Sequence, residues 1–447
     1  MKKLWLVVAL VALGGLTGKT FADVQNIRLS GDIRIRGYFI DAAGPANGGN
    51  ATFISQRTRV SVEADLEDHV LVVVTLKAEG LWGADNATSD STGAGTGKGS
   101  SSTKINRLWD VGITEAYVQF NELFYTPATL KLGRQYLQYG RGLILSSVEQ
   151  EYNYDAARLV LDYYPLTIDL VGAQLVNNQA FSAAPTHAGA SDLLFVNARY
   201  EMSDSLVKDV EAYFGWVSQG PSGPVTSSRV PPTAGLAGGT SPMIIGARGD
   251  LNLTEGLQTW FEAAYEFGDD GVLGANNLSA LIANVGGKYT LKDVQWVPVL
   301  NGNYIYASGG GKNDVDGRFI PWFDYADGYN GYLFAPSLSN IHIFNLGASV
   351  KPYENTTLAL QAYYYLKADK DGIAGSNGNV DFGGMSLAAG GTSKDIGWEF
   401  DGILGYDYSK DVRAQLVYGA FIPEGAYKHI GVSAVAEEVR AEVNVKF

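Results

Sequence analysis

The last segment of the chain alternates strictly between apolar and polar side chains, and this period of two restricts the fold more than any other feature. The apolar set is Val439, Ala441, Val443, Val445 and Phe447, and the intervening set is Glu438, Arg440, Glu442, Asn444 and Lys446. An extended strand places two such sets on opposite faces. Residues 27–39 repeat the pattern. Both segments are therefore predicted to be amphipathic strands.

Sixteen further segments between these two have the features of strands, which predicts about 18 in all. They span 52–66, 70–84, 106–120, 128–138, 154–164, 166–177, 193–202, 208–218, 242–251, 257–267, 279–290, 295–307, 341–350, 356–367, 394–406 and 412–421. Two of them, 166–177 and 295–307, alternate poorly, and the second contains Pro298, which cannot donate to a β-ladder. The 55 glycines and the 12% aromatic content also favour strands and turns over helices.

The connections between these strands alternate in length. The short ones are 66–69, 121–127, 164–166, 202–207, 252–256, 290–294, 351–356 and 407–411, and the long ones are 41–51, 85–105, 139–153, 178–192, 219–241, 268–278, 308–340, 368–393 and 422–430. A sheet that crosses a bilayer must close on itself, because every backbone donor and acceptor needs a partner. The alternation of short and long connections therefore predicts an all-β, transmembrane, up-and-down antiparallel β-barrel with long extracellular loops and short periplasmic turns. Residues 85–105 and 308–340 should be external and 407–411 periplasmic.

Residues 1–22 have the pattern of a secretory signal peptide. Two lysines precede the apolar run LWLVVALVALGGL, and Thr20-Phe21-Ala22 forms a small-x-small cleavage site. The alternative is an uncleaved anchor, but the run is shorter than the roughly 20 residues of a spanning helix. We expect a cleaved leader at 1–22, a barrel at 23–447, and a location in the outer membrane of a Gram-negative-type bacterium with both termini periplasmic.

Composition excludes several kinds of chemistry. The chain has no cysteine, so disulfides, thiolate metal sites and cysteine nucleophiles are ruled out. Loss of Lys2, Lys3 and Lys19 with the leader takes the formal charge from −14 to −17, which disfavours nucleic acid as a partner. The four histidines have no metal-ligand spacing, and two fragments that resemble calcium loops, at 314–317 and 369–372, lack the distal glutamate. We expect no cofactor and no enzymatic activity, with a rim Asp/His hydrolase as the alternative.

Charged residues of the polar parity are predicted to line the lumen, since the apolar parity of such a barrel faces lipid. The candidates are Arg28, Arg34, Arg36, Arg57, Arg59, Arg134, Arg158, Arg199, Arg248, Glu399, Asp401 and Arg413. Two interpretations stay open. The arginines could brace the wall in salt bridges with acids such as Asp32 and Glu63, or they could attract anions and hold carboxylates in bidentate fashion. Most aromatic residues near strand ends, Trp260 among them, are assigned to interfacial girdles.

Arg134 conflicts with strict alternation. If Leu130 and Leu132 face lipid, Arg134 faces lipid as well, at a cost of about 2 to 4 kcal/mol at the midplane. Either Gly133 marks a bulge that reverses the phase, or Arg134 lies near the interface. We favour the bulge, which would turn Arg134 into the lumen.

The stretches LKLGRQYLQYGRGLILSS (130–147) and YNYDAARLVLDY (152–163) resemble the alginate-export family of outer-membrane barrels. Two later stretches, 340–366 and 394–427, support the resemblance, with Gly397, Glu399 and Asp401 matching the penultimate hairpin. The resemblance implies an 18-stranded barrel that passes an anionic polysaccharide or a smaller solute. The sequence departs from the family in its charge. Residues 201–447 contain five arginines against 28 acids, which argues against a wholly electropositive pore.

The leading hypothesis is therefore an outer-membrane channel for anionic or neutral saccharides or other small solutes. Outer-membrane lipid, lipopolysaccharide and periplasmic export components are the expected partners. The alternative is a structural or adhesive barrel with a plugged lumen and external loops that bind partners.

Overall fold

The computed structural model describes residues 25–42, 49–83, 109, 111–147, 153–176, 191–202, 206–219, 241–269, 277–312, 315–322, 330–334, 336, 338–370, 393–428, 431 and 433–447. The predicted signal peptide at 1–22 and the predicted external loop at 85–105 lie outside these residues. Within the described part of the chain, no helix has the length and apolar composition needed to span a bilayer.

Eighteen long strands form the wall. They are β1 (Asn26–Ala42), β2 (Gly49–Asp65), β3 (Val70–Leu81), β4 (Val111–Phe120), β5 (Ala128–Gln135), β6 (Tyr154–Tyr163), β7 (Leu166–Val176), β8 (Ser191–Glu201), β9 (Val207–Gln219), β10 (Ser241–Asn252), β11 (Leu257–Asp269), β12 (Asn277–Thr290), β13 (Val299–Ala307), β14 (Ile341–Tyr353), β15 (Thr356–Lys367), β16 (Asp395–Asp407), β17 (Val412–Pro423) and β18 (Ala436–Lys446). Every strand is antiparallel to its neighbours in the wall. β1 pairs with β2 on one side and with β18 on the other, so the sheet closes into a barrel.

The predicted strands all occur, including the two that alternate poorly. β7 occupies the predicted segment 166–177 almost completely, whereas β13 begins only at Val299. Residues 291–298 form a turn instead, and Pro298 accepts a hydrogen bond from Leu291 through its carbonyl group. The proline thus lies just outside the ladder, where its missing N–H costs nothing.

Apolar and polar side chains lie on opposite faces of the wall, as the period of two predicts. Leu360 and Leu29 are 70% and 65% exposed on the outer face, whereas Arg440 is 4% exposed on the inner face. Ala441 and Val443 are exposed, while Glu442 between them is partly buried. The outer surface is therefore apolar, as a lipid-facing surface has to be, and the polar parity faces the lumen.

Two long connections turn into the barrel and pack against its wall. The first inward loop is residues 136–147, and the second inward loop is the connection 308–340, whose described part includes a two-residue hairpin, Gly311–Lys312 with Val315–Asp316. Leu137, Leu143, Phe319 and Phe334 are at most 2% exposed and belong to one apolar cluster that fills the space between loops and wall. The described part of 308–340 therefore folds into the barrel, and the expectation that this connection belongs to the external side stays a prediction.

Candidate transport lumen

An arginine wall occupies the inner face of β1 and β2. Arg34 and Arg57 lie directly opposite each other in the β1–β2 register, and the Arg59 position opposes Asp32. Arg34 and Arg57 are at most 6% exposed. Guanidinium groups as close as this repel one another unless carboxylates lie between them.

Carboxylates do lie between them. Asp32 accepts hydrogen bonds from Arg57 at 3.3 Å and from Arg59 at 2.5 Å. Glu79 on β3 lies 3.7 Å from Arg34 and 3.5 Å from Lys77. Asp32 therefore braces Arg57 and Arg59, which is one of the two interpretations that the sequence leaves open. Asp32 and Glu79 thus each contact two cations of the wall.

Arg36 continues the arginine wall across the closure of the barrel. Its guanidinium forms a salt bridge with Glu442 on β18, the residue directly opposite it. Arg440, on the same strand, lies with its guanidinium carbon 4.9 Å from the centre of the Tyr332 ring. Tyr332 belongs to the second inward loop, which therefore touches the arginine wall.

The remaining predicted arginines of the inner face form ion pairs along the rest of the wall. Arg158 donates to Asp169 at 2.7 Å, Arg199 donates to Asp209 at 2.8 Å, and Arg248 donates to Glu211 at 2.6 Å. The structure thus supports the bracing interpretation for these three residues, since each spans neighbouring strands.

Arg28 and Arg413 lie near the short-turn end. Arg28 bonds to Glu63 at 2.9 Å and also contacts Asp65, and Arg413 bonds to Asp407 at 2.8 Å. All of these side chains are about one-third to one-half exposed. They line the mouth of the barrel rather than its interior.

Arg134 is not in the lumen. Pairing of β5 with β4 and with β6 continues without a shift through Gly133, so no bulge reverses the phase. Arg134 stays on the outer face with Leu132 and forms two hydrogen bonds with Asp155, at 2.7 and 2.8 Å. Both residues lie at the loop end of their strands, which is the interfacial alternative that the sequence left open.

Glu399, predicted to line the pore, instead holds the second inward loop. It is fully buried, and its carboxylate accepts the backbone N–H groups of Tyr332, Leu333 and Phe334 at 2.6, 2.8 and 2.8 Å. Gly331, with φ of +108°, lets the backbone approach this closely, because a side chain there would overlap Tyr365 and Glu399. Asp401 lies on the same face and is 2% exposed, so it does not line the pore surface either.

The first inward loop is held in the same way. Glu211 accepts the N–H of Gly140 at 2.8 Å, and Glu262 accepts the N–H of Arg141 at 2.7 Å. Gly140 has φ of +60°, and a side chain there would overlap the Glu262 carboxylate. Glu266 gives the second loop another anchor, since it accepts the N–H of Ile320 and the indole N–H of Trp322. Sequence reasoning missed this role of the acids, although the glycines in both loops were a visible sign of tight backbone approach.

Between the inward loops and the wall lies a polar cavity of about 500 Å³. Arg141 of the first loop and Tyr332 of the second loop both line it. Its wall side includes Trp260, Tyr363 and a group of amides from β13, β14 and β15, namely Asn301, Asn303, Asn345 and Gln361. The assignment of Trp260 to an interfacial girdle was wrong, because its indole N–H donates to Asn284 at 3.0 Å inside the barrel.

Comparison with known proteins agrees with this architecture. The family model for alginate export matches residues 26–440. The chain belongs to the alginate-export family. A comparison with curated protein sequences finds no match.

Solved porin structures share the fold of this family member. OccAB1 of Acinetobacter baumannii is 14% identical, with a TM-score of 0.59 and coverage of 97% of this chain and 99% of that chain. OccK2 (OpdF) of Pseudomonas aeruginosa, solved in complex with glucuronate, is 11% identical, with a TM-score of 0.57 and coverage of 96% and 99%. A BenF-like porin of Pseudomonas fluorescens Pf-5 is 9% identical, with a TM-score of 0.57 and coverage of 95% and 99%. Family and fold are those of outer-membrane channels, not of enzymes.

Within the described residues, no group of three or more His, Asp and Glu side chains could hold a metal ion.

Proposed function

We propose that this alginate-export family member is an outer-membrane channel with a preference for anions, and that its solutes are anionic saccharides and other small organic acids. The arginine wall is the observation that carries this proposal. Arg34, Arg57 and Arg59 lie together on the inner face of β1 and β2, and the low-dielectric walls of a barrel strengthen the field of charges that they enclose. A guanidinium fork also matches a carboxylate geometrically. The glucuronate bound to OccK2 is a ligand of the same class.

We further propose that both termini of the mature barrel lie in the periplasm and that residues 1–22 are a leader removed on export. β1 begins and β18 ends near the short connections, which are the periplasmic turns of outer-membrane barrels. In that orientation the long connections face lipopolysaccharide, and a periplasmic export component would meet the end that carries Arg28 and Arg413.

The test is the reversal potential of purified protein in a planar bilayer under a salt gradient. We compare the wild type with an Arg34→Gln/Arg57→Gln variant and with Arg134→Gln, which removes a positive charge from the outer wall. The double variant should shift the reversal potential toward cation preference, and Arg134→Gln should not. An equal response of both variants, or of neither, would show that the arginine wall does not set selectivity.

The second candidate function is the plugged structural or adhesive barrel, which is favoured by the apolar packing of both inward loops. Single-channel recording separates the two candidates. Steady conductance steps support the channel, and a folded protein that inserts without conducting supports the plug.

A further inference from the structure

An apolar groove of about 540 Å³ lies on the outer face of the wall, across β14 to β17. Its central row consists of four residues that lie opposite one another in the strand registers, namely Ala348, Leu360, Gly402 and Tyr418. The larger Leu358 and Leu404 border this row on the side of the short turns. These six residues define the outer groove, whose depth comes from the small size of Ala348 and Gly402.

Gly402 leaves the floor of the outer groove open. A β-carbon there would meet one atom of the described residues within 4 Å, the end of the Leu360 side chain at 3.9 Å, which is an ordinary contact. The backbone at this position is not in the left-handed region that favours glycine. The missing side chain therefore shapes the surface rather than the backbone.

The outer groove faces lipid, because its residues belong to the apolar parity of the wall. Within a bilayer an apolar surface gains little by leaving lipid, so close packing and polar contacts decide what stays bound. Leu360 is 70% exposed between two small residues, which makes the floor uneven. A flexible acyl chain follows such a floor more closely than the rigid wall of a second barrel.

Tyrosines and lysines lie at the short-turn end of the same strands. Tyr353 and Tyr406 both oppose Thr356, which places them on the outer face in the next row beyond Leu358, and they are 72% and 43% exposed. Lys351 and Lys410 are exposed as well, and neither forms an ion pair in the described part of the chain. Hydroxyl and ammonium groups at the membrane surface donate hydrogen bonds to the phosphate and ester oxygens of lipids.

Both signs of charge occur at this end of the groove. Glu354 and Asp411 are exposed carboxylates in the two turns, while a third carboxylate, Asp407, accepts a hydrogen bond from Arg413 at 2.8 Å. Two carboxylates thus balance the two lysines. A purely anionic headgroup would be repelled by these carboxylates, whereas a headgroup with a phosphate and an ammonium group finds a partner for each charge.

We propose that the outer groove and its short-turn end bind a zwitterionic aminophospholipid. One acyl chain occupies the groove, the phosphate lies near Lys351 and Lys410, and the ammonium group lies near Glu354 and Asp411. The volume of about 540 Å³ is within the range of about 300 to 1,000 Å³ that is typical of small-molecule sites. Lipid binding here does not depend on the solute that the lumen passes, and only the choice of the periplasmic leaflet rests on the proposed orientation of the barrel.

Native mass spectrometry of the purified protein tests the site. Detergent-solubilised protein is mixed with equimolar phosphatidylethanolamine, phosphatidylglycerol and lipid A, and wild-type protein should retain one phosphatidylethanolamine in preference to the others. Gly402→Leu fills the groove and should lower the fraction with bound lipid about tenfold. Gly172→Leu is the matched control, because Gly172 is an exposed glycine of β7 with no described atom within 4 Å of its β-carbon position, and it should leave that fraction unchanged.

A headgroup variant tests the charge balance separately from the groove. Glu354→Gln/Asp411→Asn removes the two carboxylates that repel an anionic headgroup. This variant should retain phosphatidylglycerol as well as it retains phosphatidylethanolamine. An unchanged preference for phosphatidylethanolamine would overturn the assignment of a zwitterionic headgroup.

Ala348→Leu is a second groove variant for the case in which Gly402→Leu does not fold, since it fills the same row on the other side of Leu360. The site is refuted if wild-type protein retains no lipid, retains the three lipids equally or prefers lipid A. It is also refuted if the groove variants bind as the wild type does, if Gly172→Leu loses lipid to the same extent, or if two chains associate where one chain with lipid is expected. None of these results bears on conduction, so the channel function is tested independently.

Discussion

Replacing Glu399 by glutamine should free the tip of the second inward loop. One carboxylate oxygen accepts the N–H groups of Tyr332 and Leu333, and the other accepts the N–H of Phe334. A glutamine side chain keeps one accepting oxygen and turns an NH₂ group toward the other donor. The hydrogen bond from Phe334 is therefore lost, and the bonds from Tyr332 and Leu333 lose the charge of their acceptor.

The magnitude follows from the charge of the acceptor. A hydrogen bond to a charged group contributes about 1.5 to 3 kcal/mol and one between neutral groups about 0.5 to 1.5 kcal/mol, so one loss and two weakened bonds amount to about 3 kcal/mol if the site does not relax. Since about 1.4 kcal/mol corresponds to a factor of ten, the ratio of released to docked loop should rise about 100-fold. The global barrel should remain, because the strand pairing of β16 does not involve this carboxylate.

Hydrogen exchange of the amides of residues 332–334 measures this release directly. Exchange should be about 100-fold faster in Glu399→Gln, with no change in the β14 amides, and single-channel recordings should become noisier. Glu255→Gln, in a turn and 95% exposed at the side chain, is the charge-matched control. A rise of less than threefold would refute the reasoning. It would mean that the stacking of Phe334 on Phe421, with ring centres 4.4 Å apart, holds the loop without the carboxylate.

Three further predictions concern the wall and its orientation. Cysteine at Val443 should react with lipid-soluble reagents and cysteine at Glu442 with water-soluble ones, and mixed labelling would contradict the assignment of faces. An epitope tag at 407–411 should be inaccessible on intact cells and accessible after the outer membrane is permeabilised; accessibility on intact cells would reverse the topology. Gly133→Ala should lower the free energy of unfolding in urea by about 1 to 3 kcal/mol, since φ is +123° and the new methyl group would overlap the Ala116 carbonyl. An unchanged unfolding midpoint would show that this backbone relaxes.

The buried carboxylates account for several of the acids in the second half of the chain. Residues 201–447 contain many more acids than arginines, which at first suggests a negative lumen. Glu211, Glu262, Glu266 and Glu399 instead bind backbone N–H groups of the inward loops. These carboxylates face the N–H groups of the loop backbone and not the open lumen. They therefore oppose the passage of anions less than the number of acids suggests.

The barrel could be predicted from the order of the residues. Alternation in β18 and β1 depends only on the geometry of an extended chain, in which neighbouring side chains point to opposite faces, so it is readable from Val443 and Glu442 without any knowledge of partners. The alternation of short and long connections then fixed the number of strands and their up-and-down order. Residues such as Arg34 and Arg57 could be assigned to the inner face for the same local reason.

Tertiary structure alone decided what fills the lumen. Glu399 holds the described tip of the connection 308–340 inside the barrel from 65 to 67 residues away along the chain, and no local period records such a contact. Arg134 keeps the outer face that strict alternation gives it, because β4 and β6 pair with β5 without a shift; its partner there, Asp155, is known only from the structure. Trp260 shares the parity of Gln258 and Glu262, and its indole N–H donates to Asn284 inside the barrel. The faces of the wall follow the local period of two, whereas the contacts of Glu399, Arg134 and Trp260 join residues that are far apart along the chain.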